Sequence, residues 1–337
     1  MKPERRFLSV IIPTVNEAAA LPGLLRQLRA QQGIALELIV ADGGSTDATQ
    51  HLAAEGGARV VESRRGRGAQ MNAAARQASA PYLLFLHADS GLSSETQLAA
   101  AFAALLDSGQ AQAAGHFGLR FVRTVPGHDL FYRYLEAKTR SGRRYSINGD
   151  QGLLLSAEYF RQLGGYDESL PFLEDQRIAA RIHDGGRWLL LPGELLTSAR
   201  RFEREGVTER YTLMAIMMGL HAAGAHEFFE RAPQVYASQD QGRALDLRPF
   251  VQLTKTVLRE RGRWRSLVRI GRFVRENAWQ LALRRDLARG RADLPALALY
   301  DRHLASLLEN PLADAVAALG LAGWLYAWLP WRLRRGT

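Results

Sequence analysis

Between Leu8 and Leu86 short apolar runs alternate with helix-forming stretches, and that rhythm constrains the fold more than any other feature of the chain. Leu8-Ser-Val-Ile-Ile-Pro13 is an apolar run closed by proline, the pattern of a buried strand. Leu21, Leu24, Leu25 and Leu28 then recur with a helical period, which Gly33 stops. Leu36 to Ala41 reads as a second strand. Ala48 to Gly56 reads as a helix that Ser45 or Thr46 can cap, and Arg59 to Glu62 as a third strand. Gly66 to Ser79 reads as a loop entering an Ala-rich helix, and Tyr82 to Leu86 as a fourth strand. Strands separated by helices pair in parallel, because a parallel partner needs a crossover. The expected class is α/β, with a mostly parallel sheet flanked by helices.

On such sheets ligands bind beyond the C-terminal strand ends. Asp42 and Asp89 follow two of these ends, and Glu174-Asp175 opens a helical segment running to His183. Carboxylates ligate divalent metals and take protons from hydroxyls. Each acid also has a plainer reading. Asp42-Gly-Gly-Ser45 is turn chemistry, Asp89 can cap the next helix, and acids at a helix start complement its dipole.

The chain has 337 residues and no cysteine, so disulfides and thiolate metal sites are excluded. The residues from Met1 to Phe7 are charged and lack the apolar stretch of a secretory signal, so a cytoplasmic location is expected. The formal net charge is +10, unevenly placed. Residues 1–225 carry 25 Lys/Arg against 23 Asp/Glu, and residues 226–337 carry 19 against 11, of which 18 are Arg. The basic excess therefore lies in the C-terminal third and suits an anionic partner.

The middle of the chain is less regular. Phe117 to Val122 reads as a strand, Asn148 to Leu155 as a loop entering a strand, Ala157 to Leu163 as a short helix, and Trp188 to Leu191 as a strand. From about 206 onward the pattern is helical. Gly224, Pro233 and the polar run Ser238 to Arg243 suggest a boundary near 225–240. Two domains are expected: 1–225, holding the sheet, and 226–337, basic and mostly helical.

Five segments together resemble one family. They are Val10-Ile-Ile-Pro-Thr-Val-Asn-Glu17, Val40-Ala-Asp-Gly-Gly-Ser-Thr-Asp47, Gly66-Arg-Gly-Ala-Gln-Met-Asn72, Leu84-Phe-Leu-His-Ala-Asp89 and Phe172-Leu-Glu-Asp175. In order and spacing they resemble the family-2 inverting glycosyltransferases with a GT-A fold, over roughly residues 7 to 210. The His-Ala-Asp form, with Gly149-Asp-Gln-Gly152 and Thr197-Ser-Ala-Arg-Arg201, looks like a bacterial subgroup. The resemblance implies transfer of a sugar from a nucleotide-diphosphate sugar to an acceptor hydroxyl. By it, Pro13, Asn16, Glu17 and Asp42 would line the nucleotide site, and Arg67 would sit near the base or phosphates. Arg200 and Arg201 would clamp the diphosphate, and Gly149, Asp150 and Gln151 would face the acceptor. Asp175 would be the general base and Glu174 would help to position the acceptor. Asp89 would ligate Mg2+ or Mn2+. Many members carry an acid two residues before that Asp. Here it is His87, so the ion would lean on diphosphate oxygens and Asp89 alone.

Two C-terminal stretches bear on a membrane. In Arg263 to Arg275, Leu267, Ile270 and Val274 share one helical face and Arg265, Arg269 and Arg272 another. That is either an ordinary surface helix or one lying on an anionic membrane. Ala315 to Trp331 holds no charge and is followed by Arg332-Leu-Arg-Arg335. It is short of the roughly 20 residues a span needs and contains Pro330, so an interfacial helix is the stronger expectation. The expected partners are a nucleotide-sugar donor, an acceptor that is lipid-linked, and an anionic membrane surface at the inner face. Nucleic acid is not expected, since no recognition motif accompanies the charge. One rival is a sugar-phosphate nucleotidyltransferase, which carries a Gly-rich basic loop where this chain has Pro13-Thr-Val-Asn-Glu17. The other is a non-catalytic sugar-nucleotide or nucleic-acid binding protein.

Overall fold

The computed structural model describes residues 7–237, 239 and 244–335. The charged residues 1–6 and most of the polar run Ser238 to Arg243 lie outside them. The chain divides into two units, Met1–Val122 with Leu135–Ser198, and Arg123–Tyr134 with Ala199–Thr337. In this division the helical unit takes in Ala199 onward, ahead of the boundary expected near 225–240. Helix α9 (Val207–Ala222) belongs with the helices that follow, because its Gly219 admits Ile270 of α12 (Arg263–Glu276) against its backbone.

The first unit carries an eight-stranded sheet in the order β3-β2-β1-β4-β7-β6-β8-β5. The strands are β1 (Phe7–Thr14), β2 (Ala35–Asp42), β3 (Arg59–Glu62), β4 (Tyr82–Phe85), β5 (Gly91–Leu92), β6 (Ala113–Val122), β7 (Leu153–Ser156) and β8 (Arg187–Ser198). The pairs β1-β2, β1-β4, β2-β3 and β6-β8 are parallel, while β7 runs antiparallel to β4 and β6. Period-2 alternation in the strands serves both faces. Leu8, Val10, Ile12, Val40 and Leu84 meet α1 (Leu21–Arg29) and α4 (Gln97–Asp107) on one side. Ile11, Ile39, Leu83 and Phe85 meet α3 (Arg67–Gln77), α6 (Ala157–Gln162) and α7 (Glu174–Gly185) on the other. A sheet covered on both faces explains the near-continuous apolar strands.

The expected strands and helices of the first ninety residues form, with ends shifted by a residue or two. The cap of α2 (Thr49–Glu55) is corrected. Neither Ser45 nor Thr46 caps it; Asp47 Oδ1 accepts the Thr49 backbone N–H at 3.0 Å. Helices α4 and α5 (Asp129–Thr139) have no counterpart in the sequence reading.

The second unit contains α8 (Arg200–Glu205), α9, α10 (His226–Ala237), α11 (Arg248–Glu260), α12, α13 (Trp279–Ala288), α14 (Pro295–Leu299), α15 (Ala305–Leu308) and a 25-residue helix, α16 (Pro311–Arg335), π-wound over Trp324–Trp328. Buried Asp286 accepts the N–H groups of Ala296 and Leu297 at 3.0 and 2.9 Å and so caps α14 from the preceding helix. Of the two readings of residues 263–275, packing accounts for part of the apolar face. Leu267 and Ile270 are buried inside the unit, and Gly271 lets α16 approach so closely that a Cβ there would lie 2.6 Å from Asp314 O. Two of the three residues of that apolar face are thus spent on packing, while Val274 stays 42% exposed.

Candidate functional site

Thr14 and Asp42 are register partners at the ends of β1 and β2. Asp42 is fully buried, and its carboxylate organises the loop that follows. Oδ1 accepts from Thr14 Oγ1 at 3.2 Å and Ser45 Oγ at 2.5 Å. Oδ2 accepts from Gly44 N at 3.1 Å, Ser45 N at 2.9 Å and Gln50 Nε2 at 2.8 Å. Burial pulls its pKa up, but the bonds from Ser45, Gln50 and Gly44 win and hold it below the ordinary value. The segment after Pro13, which itself is buried in β1, is laced to the same loop. Asn16 adopts a left-handed φ of 56°, its backbone N–H donates to Ser45 Oγ at 2.9 Å, and its Oδ1 accepts from Thr46 N at 2.8 Å. Glu17 N donates to Thr49 Oγ1 at 2.8 Å.

Helix α3 ties this donor-side loop to a second cluster. Gln70 is buried, and its Nε2 donates to Thr14 O and Ala41 O, both at 2.8 Å. Gly43 must lack a side chain, because a Cβ there would lie 2.8 Å from Gln70 Cδ. One turn earlier Arg67 reaches across the chain, and its Nε lies 2.8 Å from Glu174 Oε1. Glu174 is 2% exposed whereas the Arg67 side chain is 45% exposed, so one end of the pair is dry and the other wet. Burial raises the pKa of Glu174, Arg67 opposes that shift, and Asp175 adds to it; the net direction is up.

The second cluster forms where β4 ends, where a 3₁₀ turn spans Gly149–Gln151, and where α7 begins. Leu173, at the N-cap of α7, holds a left-handed φ of 62°. For a branched residue this backbone is strained, and it aims Glu174-Asp175 at the turn. Asp175, half-buried, accepts the Gly149 N–H on Oδ2 at 2.7 Å and the Gln176 N–H on Oδ1 at 2.9 Å. A Cβ on Gly149 would lie 3.1 Å from His87 Nε2 and 3.5 Å from Asp175 Cβ, so the glycine sits between imidazole and carboxylate. His87 Nδ1 meets Asp150 Oδ1 at 2.8 Å. Burial lowers the His87 pKa, but the bond to Asp150 outweighs it and the net direction is up. Tyr166, 5% exposed, lies close enough that burial, Glu174 and Asp175 together push its hydroxyl well above the ordinary range. It stays a neutral donor.

Arg67, Gly149, Asp150, Glu174 and Asp175, all expected at a site, are thus brought together, and His87 joins them. Gln151 faces inward. It is fully buried, and its Nε2 donates to Thr139 O at 2.9 Å and Phe117 O at 3.3 Å while Oε1 accepts the Asn148 N–H at 2.9 Å. It holds the turn from behind. Arg200 and Arg201 open α8 in the other unit, where Arg201 Nε lies 3.6 Å from Glu205 Oε1. Gln70, Asn72 and Tyr166 were not singled out from the sequence. The signal for the first two is a polar side chain on the buried face of an Ala-rich helix; Asn72 holds Tyr166 O and N at 2.9 Å each.

Asp89 is exposed on the turn after β4, and its charge is felt by His87 two residues earlier. Among the described residues no group of three or more His, Asp or Glu could enclose an ion. The donor set fits an ion held by one carboxylate and completed by phosphate oxygens, the habit of Mg2+ at phosphate sites.

A family model described as Glycosyl transferase family 2 matches residues 9–153. The chain is similar to a PGL/p-HBAD biosynthesis glycosyltransferase of Mycobacterium bovis (strain BCG / Pasteur 1173P2), 39% identical over 93 residues that make up 26% of this chain and 36% of that relative. It is similar to Glycosyltransferase AglJ of Haloferax volcanii, 39% identical over 82 residues, 24% of this chain and 26% of that one. The matched segments thus span well under half the length of these relatives. The mannosyltransferase PcManGT from Pyrobaculum calidifontis, solved in complex with GDP-Man and Mn2+, shares the fold at a TM-score of 0.50 and 21% identity, over 94% of this chain and 87% of that chain.

Proposed function

Residues 9–153 place the chain in glycosyl transferase family 2, and from that premise we propose a metal-dependent inverting transfer of sugar from a nucleotide-diphosphate sugar to an acceptor hydroxyl. The observation that carries the reading is the convergence of Arg67, His87, Gly149, Glu174 and Asp175 around one turn. Asp175 is the base. Oδ2 is engaged by the Gly149 amide and the Gln176 side chain, while Oδ1 accepts only the Gln176 backbone amide and so keeps a lone pair for the acceptor proton. One base on one face gives single displacement, and hence inversion. Glu174 fixes Arg67 through Nε and leaves the outer guanidinium nitrogens for donor phosphate. The loops around Pro13, Asn16, Glu17 and Asp42 form the nucleotide side. Asp42 acts there by shaping its loop, unless Ser45 or Gln50 releases an oxygen to the ribose or base.

Asp89 would hold Mg2+ or Mn2+ with the diphosphate oxygens, and the ion would supply Lewis-acid neutralisation of leaving-group charge. Gly149 and Asp150 face the acceptor, with Gln151 as their support. The role of Arg200 and Arg201 at the diphosphate rests on the family resemblance alone. The acceptor is lipid-linked and the protein works peripherally at the inner face of a membrane. The 19 cations against 11 acids in residues 226–337 support this, as does the exposed apolar helix among them.

The test is a donor screen with UDP-, GDP- and dTDP-sugars in Mg2+ or Mn2+, following release of the nucleoside diphosphate. Release of pyrophosphate instead would identify a nucleotidyltransferase. Asp89→Ala is expected to remove the metal dependence of donor binding. Donor turnover that ignores both the metal and Asp175 would falsify the proposal.

A further inference from the structure

Helix α16 is apolar, long and poorly covered. At 1.5 Å per residue its 25 residues run about 37 Å, and only 17% of its most apolar window is buried. The covered side is a single line, Ala318, Leu325 and Leu329, each at most 2% exposed. The opposite side is open, with Leu312 at 74%, Val316 at 60%, Leu319 at 62% and Trp331 at 46%. Leu312, Val316 and Leu319 recur four and three apart, which keeps them on one helical face. No charge interrupts residues 315–331, and Arg332, Arg334 and Arg335 follow. The Arg335 guanidinium stacks 4.2 Å from the Trp331 ring centroid and that of Arg332 5.6 Å from Trp328.

The covered side is held to its own unit along its whole length by charged partners. Arg275 Nε lies 2.5 Å from Asp314 Oδ1, with both side chains largely buried. Lys255 and Arg263 stand 5.3 and 5.5 Å from the Tyr326 ring centroid. Arg332 reaches Glu209 at 3.5 Å. A helix crossing a bilayer would carry these charges to every depth of the hydrocarbon or tear them from their partners. We propose that α16 instead lies in the plane of an anionic bilayer. Its docked side stays on the protein, the Leu312-Val316-Leu319 face enters the acyl boundary, and the Trp-Arg end sits among acidic headgroups. Charge selects this occupant: residues 226–337 carry 19 cations against 11 acids, a net excess that repels a second copy and is drawn to acidic lipid. The inference rests on the membrane reading above and names the element and the geometry behind it.

The test uses the full chain with vesicles of phosphatidylcholine alone or mixed with phosphatidylglycerol. Binding to the acidic vesicles is expected, with loss of at least about tenfold in affinity for the Leu312→Ser, Val316→Ser, Leu319→Ser triple variant. Tryptophan fluorescence should be quenched by lipids brominated near the headgroup more than by those brominated at the chain end. Equal binding by the triple variant would overturn the role of α16 and leave a membrane protein that docks elsewhere. No wild-type binding to acidic vesicles would overturn both. Deep quenching with resistance to alkaline extraction would overturn the in-plane geometry in favour of a span. Self-association abolished by the triple variant, without vesicle binding, would assign the face to a second copy. Donor hydrolysis in the same samples reports on the transferase chemistry separately.

Discussion

The two units depart from the ordinary partition of residues in opposite directions. In the sheet-bearing unit, polar groups go inside: Asp42, Gln70, Gln151 and Glu174 are all at most 2% exposed. In the helical unit, apolar groups go outside, with Leu312, Val316 and Leu319 at least 60% exposed. Both departures cost stability unless something answers them. Within the sheet unit the answer is internal, because Asp42, Gln70, Gln151 and Glu174 each find partners among neighbouring groups. Within the helical unit the answer is missing from the chain itself, which is why that surface points outward to another phase. Misplaced residues thus mark function in both units, but by inverse signatures.

That contrast can be broken at several levels. Asp175→Asn should lower kcat about 10³-fold while leaving donor affinity unchanged, because it removes a proton acceptor and keeps the shape; equilibrium binding with single-turnover kinetics checks both halves. If turnover survives within a few-fold, the cluster is not the reaction centre. Gln151→Leu should cost about 2–4 kcal/mol in chemical denaturation, since it orphans the Thr139 and Phe117 carbonyls and the Asn148 amide. A near-neutral result would show that the buried amide is not what holds the turn. Gly271→Val should cost about 1–3 kcal/mol by forcing α12 away from α16, where a Cβ meets Ala318 N at 2.7 Å. Its effect should fall on the helical unit and leave kcat of donor hydrolysis within about twofold. The smallest effect is a pH slope. Hydrogen bonds hold the folded Asp42 pKa below its ordinary value of 3.8. Its contribution is therefore complete above 3.8 and is lost as pH falls through the lower folded value. Asp42→Asn should flatten that acid-side loss in thermal melts run from pH 7 to pH 2, and an unchanged slope would remove Asp42 from the ledger of acid-sensitive groups.

Much of the sheet unit was legible because strand residues answer to local pattern. Leu8 to Pro13 and Leu36 to Ala41 carry period-2 apolar faces that both bury, and the acid that follows the second, Asp42, stands out against them. Glu174 and Asp175 stood out for another reason, the resemblance of Phe172 to Asp175 to a family motif. The Arg67-Glu174 pair was not, since its members stand 107 positions apart and meet only when α3 and α7 cover the same sheet face. The inward aim of Gln151 was equally hidden, because a glutamine in a Gly-rich turn reads as solvent-exposed. Helix α12 stayed open between two readings for a related reason: an amphipathic period reports that one face is apolar and says nothing of what lies against it.

The sequence by itself determined the alternation of strands and helices, the placing of Asp42, Asp89 and Asp175 after apolar segments, and the concentration of arginine in the last third. These are properties of neighbours along the chain, set by backbone periodicity and composition. Tertiary structure alone decided that Arg67 meets Glu174, that Gly149 lies between His87 and Asp175, and which of two apolar helices, α12 or α16, keeps its face uncovered. Those outcomes depend on packing between segments far apart in sequence, where a close approach such as Gly271 on Ala318 satisfies one face and leaves the other to whatever surrounds the protein.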